Sequence, residues 1–327
     1  MEDYVKDAED MEENSSGFEI KEYDNSNVYK NNVYISNSFA RSMEKTNLLE
    51  GKIELLAIHH LNNQVMINKK RDSNGNEYTT KYVCLTAKEI QELIGRDHGN
   101  TYSEIHNAAL SMKNKLLIVE DKERECFVMR SMYGDIAYKN GKLLIEFNPD
   151  MEEMFLGLSK NFTKLSLPLM FSFKKNGGFQ LYKMLKSYAF PKNLPDIDLT
   201  VSQEELPTFA VTYSLSQLRM MLGYVDLSER DLQKEGSKDH PNFEKMSDLE
   251  KNPKYKRWSD FYFRVIKPGQ IEINEISDIY IQEVKKERRG KGGKITDITF
   301  VIQWNREYFL NRQNKKKKKS TYSIQHY

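Results

Sequence analysis

The chain repeats itself once, at a spacing of 128 residues, and this repeat constrains its fold more than any other feature. Residues 85–95 (LTAKEIQELIG) align with residues 213–223 (YSLSQLRMMLG). Thr86 falls on Ser214, Glu89 on Gln217, Ile90 on Leu218, Leu93 on Met221, Ile94 on Leu222 and Gly95 on Gly223. Each copy opens with Ser/Thr-x-x-Glu/Gln, a capping box that satisfies free backbone donors at a helix start. Each then carries apolar residues at helical spacing and ends on Gly, which tolerates the left-handed backbone of a helix terminus. The same spacing puts Ile53, Leu56 and Ala57 on Leu181, Met184 and Leu185, so helices are expected over roughly 47–64 and 179–190.

A third helix follows each short one. In the first copy it covers 101–115, with Ile105, Ala108, Ala109, Met112 and Leu116 on one face. In the second it covers 255–267, with Trp258, Phe261, Tyr262 and Val265 inward. Strands come next. Ile136, Tyr138, Leu143, Ile145 and Phe147 alternate around Asn140-Gly141, a hairpin signal. Ile279 and Ile281 begin a late strand, and Ile298, Phe300, Ile302 and Trp304 share one face of another. The connection, 285–294, contains Gly290, Gly292 and Gly293. Three helices and a hairpin, twice over, predict an α+β chain of two tandem winged helix-turn-helix domains. Residues 191–212 and 226–253 read as loops inserted in the second copy.

Composition sets the class. The 327 residues suffice for two domains with separate cores. Hydrophobic residues make up 39% and charged residues 30%, and nothing approaches the ~18 apolar residues of a membrane span. The N-terminus lacks the features of a secretory signal, and two cysteines, Cys84 and Cys126, are too few for a disulfide scaffold. A cytoplasmic protein without membrane contact is expected. The net charge of +2 conceals a gradient: residues 1–24 hold ten acids against Lys6 and Lys21, whereas 251–320 hold 19 Lys and Arg against 8 Asp and Glu. The expected plan is an acidic disordered extension (1–30), a first winged-helix domain (31–157), a second (158–310) and a basic tail (311–327) that includes Lys315 to Lys319. A basic C-terminal half is the footprint of a polyanion binder.

In a helix-turn-helix unit the third helix can enter the DNA major groove. The outward face of 255–267 presents Lys256, Asp260, Phe263 and Lys267, flanked by Arg257 and Arg264. Lys and Arg neutralise phosphates or bond guanine, Asp accepts from cytosine, and Phe contacts a thymine methyl. The plainer alternative is a solvated helix with Lys256–Asp260 and Asp260–Arg264 ion pairs. Phe263 and the basic wing residues Lys285, Lys286, Arg288, Arg289, Lys291 and Lys294 favour DNA. The third helix of the first copy carries Ser103, Asn107, Ser111 and Asn114, with Lys113 and Lys115 near its end. Its Ser103, Asn107 and Lys113 are auxiliary DNA contacts or a plain polar face.

No enzyme motif holds up. Gly290-Lys-Gly-Gly-Lys294 lacks phosphate-loop spacing and joins strands instead of opening a helix. His59 and His60 are neighbours on a helix and point about 100° apart, which is not the His-apolar-His metal pair of rolling-circle nickases. His98 and His106 lack companion ligands in sequence. The expectation is a binding protein without catalysis, cofactor or metal.

The order of several segments resembles the iteron-binding replication initiators of bacterial plasmids. These are NSFARS from Asn37, FNPDMEEMFL from Phe147, LSLPLMFSF from Leu165 and FQLYKMLKSY from Phe179. They continue with WSDFYFRVIKPGQIEINEISDI from Trp258 and DITFVIQW from Asp297. The resemblance spans roughly Val33 to Trp304. It implies two winged-helix domains that bind direct repeats in double-stranded origin DNA, help to open adjacent AT-rich DNA and recruit the host initiator and helicase machinery. It also implies a homodimer formed through the first domain that represses its own gene. By position, the family's second-domain recognition helix falls on 255–267. The acidic extension and the lysine-rich tail depart from the family pattern. Three other readings remain: a winged-helix repressor without initiator activity, a nicking enzyme and a protein scaffold.

Overall fold

The computed structural model describes residues 19–22, 32–42, 46–71, 74–94, 101–114, 116–121, 126–156, 158, 160–188, 198–224, 236–237, 240–241, 255, 257–289 and 293–314. The chain divides into two compact units between Phe171 and Ser172, with Gly236–Pro241 returning to the first. The division expected at 157/158 lies later because β9 (Phe162–Ser166) pairs antiparallel with β2 (Asn32–Ser36), deep in the first unit.

In the first unit β1 (Glu19–Glu22) and β2 precede α1 (Asn37–Ala40) and the central helix α2 (Leu48–Asn63). Then come β3 (Gln64–Arg71), β4 (Glu77–Thr86), α3 (Ala87–Ile94), α4 (Thr101–Lys113), β5 (Leu116–Asp121), β6 (Cys126–Ser131), β7 (Tyr133–Lys139) and β8 (Lys142–Phe147). The main sheet runs β1-β3-β4-β8-β7. The expected hairpin turns at Asn140 and Gly141, both left-handed with φ of 50° and 75°, the type I′ geometry that Asn-Gly supports. Two features escaped the sequence reading. Glu19–Glu22, expected in a disordered extension, is an edge strand on β3. A second hairpin, β5–β6, follows α4, and Leu116, expected on the apolar face of the helix, is its first residue.

Helix α2 is buried almost all round, which is why its charged residues all meet partners. Asn47 and Glu50 cap it reciprocally: Asn47 Oδ1 accepts from Glu50 N (2.9 Å) and Glu50 Oε2 from Asn47 N (3.3 Å). Glu50 also accepts from Ser111 Oγ of α4 at 2.9 Å. Tyr133 donates to Glu54 at 3.0 Å, and Lys52 Nζ to the Phe171 carbonyl at 2.7 Å. Ile53, Leu55, Ala57, Ile58 and Leu61 fill the core beneath the sheet.

The second unit follows α5 (Leu167–Ser172) with α6 (Asn176–Lys186), β10 (Phe209–Ser214), α7 (Leu215–Met221), a long helix α8, β13 (Ile279–Arg289) and β14 (Lys294–Trp304). The strands β11 (Gly236–Ser237) and β12 (His240–Pro241) form a minimal ladder that belongs to the first unit. The sheet of the second unit runs β10-β14-β13, which repeats β4-β8-β7 of the first unit. The capping box of the first copy closes in both directions, and in the second copy the serine caps its helix. Thr86 Oγ1 accepts from Glu89 N at 3.2 Å while Glu89 returns to Thr86 N at 2.7 Å, and Ser214 Oγ accepts from Gln217 N at 3.1 Å. The 128-residue repeat is therefore strand, capped helix and core: Ile90 and Leu218 are both fully buried. Residues 209–212, expected in a loop, belong to β10, whose Val211 and Tyr213 face the core. The tail expected from 311 is helical over 306–314; Lys315 to Lys319 lie outside the described residues.

Helix α8 runs through Trp258–Phe261, a wider π-turn over Tyr262–Ile266, and Lys267–Ile276. The sequence reading ended it at Lys267, and the next two residues, Pro268 and Gly269, usually break helices. Pro268 has no N–H to return to the Arg264 carbonyl, and its ring needs room there. The widened turn just before it, closed by Lys267 N to Tyr262 O, supplies that room. Gly269 is a packing residue. A Cβ there would stand 3.1 Å from Gly178 N and 3.2 Å from Gly178 Cα, so α8 and α6 cross almost backbone to backbone. Glu272, 8% exposed, accepts from Lys174 N at 2.6 Å ahead of α6, and a Cβ on Gly178 would overlap its Oε2.

Gly178→Ala is expected to destabilise the protein by about 1 kcal/mol. Overpacking costs roughly 1–3 kcal/mol, less the ~1 kcal/mol that Ala gains over Gly in a helix. A thermal melt measures it, and an unchanged or higher Tm would show that the crossing has slack.

Candidate nucleic-acid interface

Each unit offers its third helix and its hairpin. In the second unit the buried side of α8 is Phe261, Val265, Ile266, Gly269, Glu272 and Ile273. The expected inward residues Trp258 and Tyr262 are only half-buried. They stack on each other with ring centroids 5.5 Å apart and flank the outward face. Phe261, at 0% exposure, is the core aromatic of this helix.

The outward face carries Arg257, Asp260, Phe263, Arg264 and Lys267, all exposed. Phe263 is 61% exposed, an unusual place for a large apolar ring unless something covers it. Lys267 Nζ lies 5.6 Å from the Phe263 ring centre, and the Arg264 guanidinium 5.7 Å from that of Tyr255. Among the described residues Asp260 and Arg264 form no ion pair, so that part of the plainer alternative does not describe this face. Lys256 lies outside the described residues. Tyr255, just ahead of the helix, has φ of 68°, which a bulky side chain rarely adopts. Its carbonyl accepts from Arg219 at 3.4 Å and its ring meets Tyr224 at 5.8 Å, so the entry to α8 is held from three sides.

The wing is longer than expected. Strand β13 reaches Arg289 and β14 starts at Lys294, so the connection expected over 285–294 shrinks to 290–293. Gly293 has φ of 61°. Beyond Val284, side chains on both faces of β13 are exposed: Lys285, Lys286, Glu287 and Arg288 all project into solvent. Lys285 pairs with Glu283 at 3.3 Å, a surface ion pair of small weight. Arg289 and Lys294 are ladder partners at the tip, and Lys291 lies outside the described residues.

The first unit's face is different. On α4, Ser103 is half-buried and Asn107 is exposed. Lys113 donates to Gly134 O at 2.6 Å and pairs with Asp135 at 3.2 Å, so it ties the helix to β7. Ser111, expected to face outward for DNA, bonds Glu50 instead. The sequence reading passed over Tyr102 (64% exposed), which stacks on His106 and meets Tyr138 of the hairpin edge-on at 5.6 Å.

His59 and His60 have separate partners, Asn32 O at 3.0 Å and Glu89 Oε1 at 3.1 Å. Burial pushes the His59 imidazole below its usual range, against the pull of the Asn32 carbonyl. Among the described residues no group of three His, Cys, Asp or Glu could hold a metal, and no helix is long and apolar enough to cross a membrane.

Two winged-helix units in tandem, each with a capped second helix, an exposed third helix and a hairpin wing, define the class: a tandem winged-helix protein. Residues 32–186 match the family model described as Initiator Replication protein, WH1, and residues 239–302 match Initiator Rep protein, WH2. The chain belongs to this family of replication initiator proteins. A solved structure of similar fold is that of the Pi initiator protein in complex with iteron DNA, at 14% identity and a TM-score of 0.52, covering 84% of this chain and 98% of that one. A structure of domains 2 and 3 of RctB also matches, at 12% identity and a TM-score of 0.32, covering 74% and 91%. No curated protein matches the chain.

Proposed function

We propose that this initiator binds repeated sites in double-stranded origin DNA, chiefly through its second unit, and acts without catalysing a reaction itself. Helix α8 lies in the major groove, where Arg264, Phe263 and Lys267 meet base edges. The β13–β14 wing grips phosphates with Lys286 and Arg288. The first unit adds contacts through Ser103 and Asn107 and carries the dimer contact. Bound at the origin, in the cytoplasm, the protein recruits host initiator and helicase proteins. The observation that carries this reading is the exposed cation-and-aromatic face of α8 beside a basic wing, in a member of the initiator family.

Selection of duplexes from a random-sequence pool, followed by footprinting on DNA flanking its own gene, tests the reading. A recurring repeated site is expected, with log K falling by about 0.9 per neutralised phosphate for each unit of log salt. Binding that is indifferent to sequence and salt would overturn it. Support of an origin plasmid separates an initiator from a repressor of the same fold. Sedimentation of the full chain with and without the selected duplex reads the dimer.

A further inference from the structure

Within the second unit, the side chains of two residues of α8, Gln270 and Asn274, bond the root of the wing. Strand β13 is the edge of its sheet, so some of its backbone groups point away from β14 with no neighbouring strand to pair them. At Ile281 both of these groups are taken by one side chain of α8. Asn274 Oδ1 accepts from Ile281 N at 2.7 Å, and Asn274 Nδ2 donates to Ile281 O at 3.1 Å. Gln270 Nε2, one turn earlier, donates to the same carbonyl at 2.9 Å. The carboxamide of Asn274 thus stands in for a missing strand at this one position. The ladder shifts register directly after it, between Ile281 and Glu283, where the wing leaves the core. The Asn274 carbonyl accepts from Asn305 Nδ2 at 2.7 Å, just past the end of β14. Both wing strands are therefore fastened at their roots to the same residue of the helix.

We propose that Asn274 is a positioning residue: it latches the wing to the recognition helix, so that base reading and phosphate gripping occur at one fixed spacing. This rests on the reading of α8 as the base-reading helix. The physical reason is preorganisation. A specific site must satisfy helix and wing together, and a joint that is already rigid spares the entropy of aligning them on binding. Non-specific DNA makes no such demand, because each basic element can find phosphates independently. Asparagine is the residue for the task, since its amide offers one acceptor and two donors and matches a peptide group in reach.

The test uses the full chain and two probes: a duplex enriched from a random-sequence pool, and a scrambled duplex of the same length and composition. Asn274→Ala is expected to weaken binding to the enriched duplex about tenfold while changing the scrambled duplex less than about threefold, measured well below the variant's Tm. The salt slope on the enriched duplex is expected to fall as well. Gln270→Ala keeps the Asn274 bonds and serves if Asn274→Ala folds poorly; it is expected to lose about threefold on the enriched duplex alone. A lower Tm with both duplexes weakened equally, or with neither weakened, would reduce Asn274 to a structural residue and overturn the proposal. A wild-type protein that bound both duplexes alike would instead remove the base-reading assignment of α8.

Discussion

Asp278→Ala is expected to cost about 3 kcal/mol of stability, at the lower end of the roughly 3–5 kcal/mol seen when one partner of a buried ion pair is removed. Asp278 stands just past the end of α8, and its two oxygens are both engaged. Oδ2 lies 2.5 Å from Lys186 Nζ, and Oδ1 accepts from Tyr182 OH at 2.8 Å. The two charged side chains are only 13% and 19% exposed. Lys186 Nζ also stands 4.3 Å over the Trp304 ring. Removing the carboxylate leaves an ammonium in a poorly hydrated site and a buried phenol with no acceptor. Burial, and then the Asp278 charge, hold the Tyr182 hydroxyl well above its usual range. The attraction between the two charges does little more than offset their desolvation. The double change Lys186→Met, Asp278→Leu is therefore expected to cost clearly less than the single one. Urea melts followed by tryptophan fluorescence read this unit directly, since the two tryptophans of the chain, Trp258 and Trp304, both lie in it. A single variant within ~1 kcal/mol of wild type, where an ordinary surface change falls, would show that the pair is effectively solvated.

Arg264→Ala is expected to lose roughly 1–3 kcal/mol on the selected duplex and to relax base preference at one position. Its guanidinium sits on the outward face of α8, steered by the Tyr255 ring, where a base edge can meet it. Lys286→Ala with Arg288→Ala acts differently. These side chains lie on the exposed wing strand, where backbone phosphates are the partners within reach. Selected and scrambled duplexes are expected to weaken alike, with the salt slope reduced by about 0.9 per lost contact. Competition binding with both duplexes distinguishes the two patterns. Phe261→Ala is the folding control, because truncating a fully buried Phe costs about 3–5 kcal/mol and should abolish both kinds of binding. Trp258, half-buried beside the outward face of α8, cannot serve as that control. If Arg264→Ala weakens both duplexes equally, α8 grips phosphates and does not read bases.

Much of this architecture was legible in one dimension. The 128-residue repeat located both capped helices, because the reciprocal bonds of Thr86 with Glu89 and the cap of Ser214 on Gln217 are local chemistry. Asn140-Gly141 located a hairpin for the same reason, since its turn needs two left-handed residues in sequence. The face of α8 that bears Asp260, Phe263, Arg264 and Lys267 followed from helical period alone. The short edge strand Glu19–Glu22 was not legible, because an acidic segment with little apolar content pairs only where a strand edge waits for it. Nor was β10, since FAVTYS alternates over too few residues to stand out from a loop.

The sequence by itself determined the order of the main helices, the doubled winged-helix plan and the polarity of charge along the chain, because caps, turns and periodicity act over a few residues. Only the tertiary structure decided where α8 ends. Pro268 and Gly269 stop a lone helix, yet here the π-turn makes room for the proline ring, and the glycine lets α8 lie against the backbone of α6 at Gly178. The same holds for Asn274, whose amide matters only because the edge of β13 comes to rest beside it. Contacts between residues far apart in sequence overrode local propensity at these points, since close packing and the pairing of buried backbone groups outweigh the fraction of a kcal/mol to few kcal/mol that a single helix breaker costs.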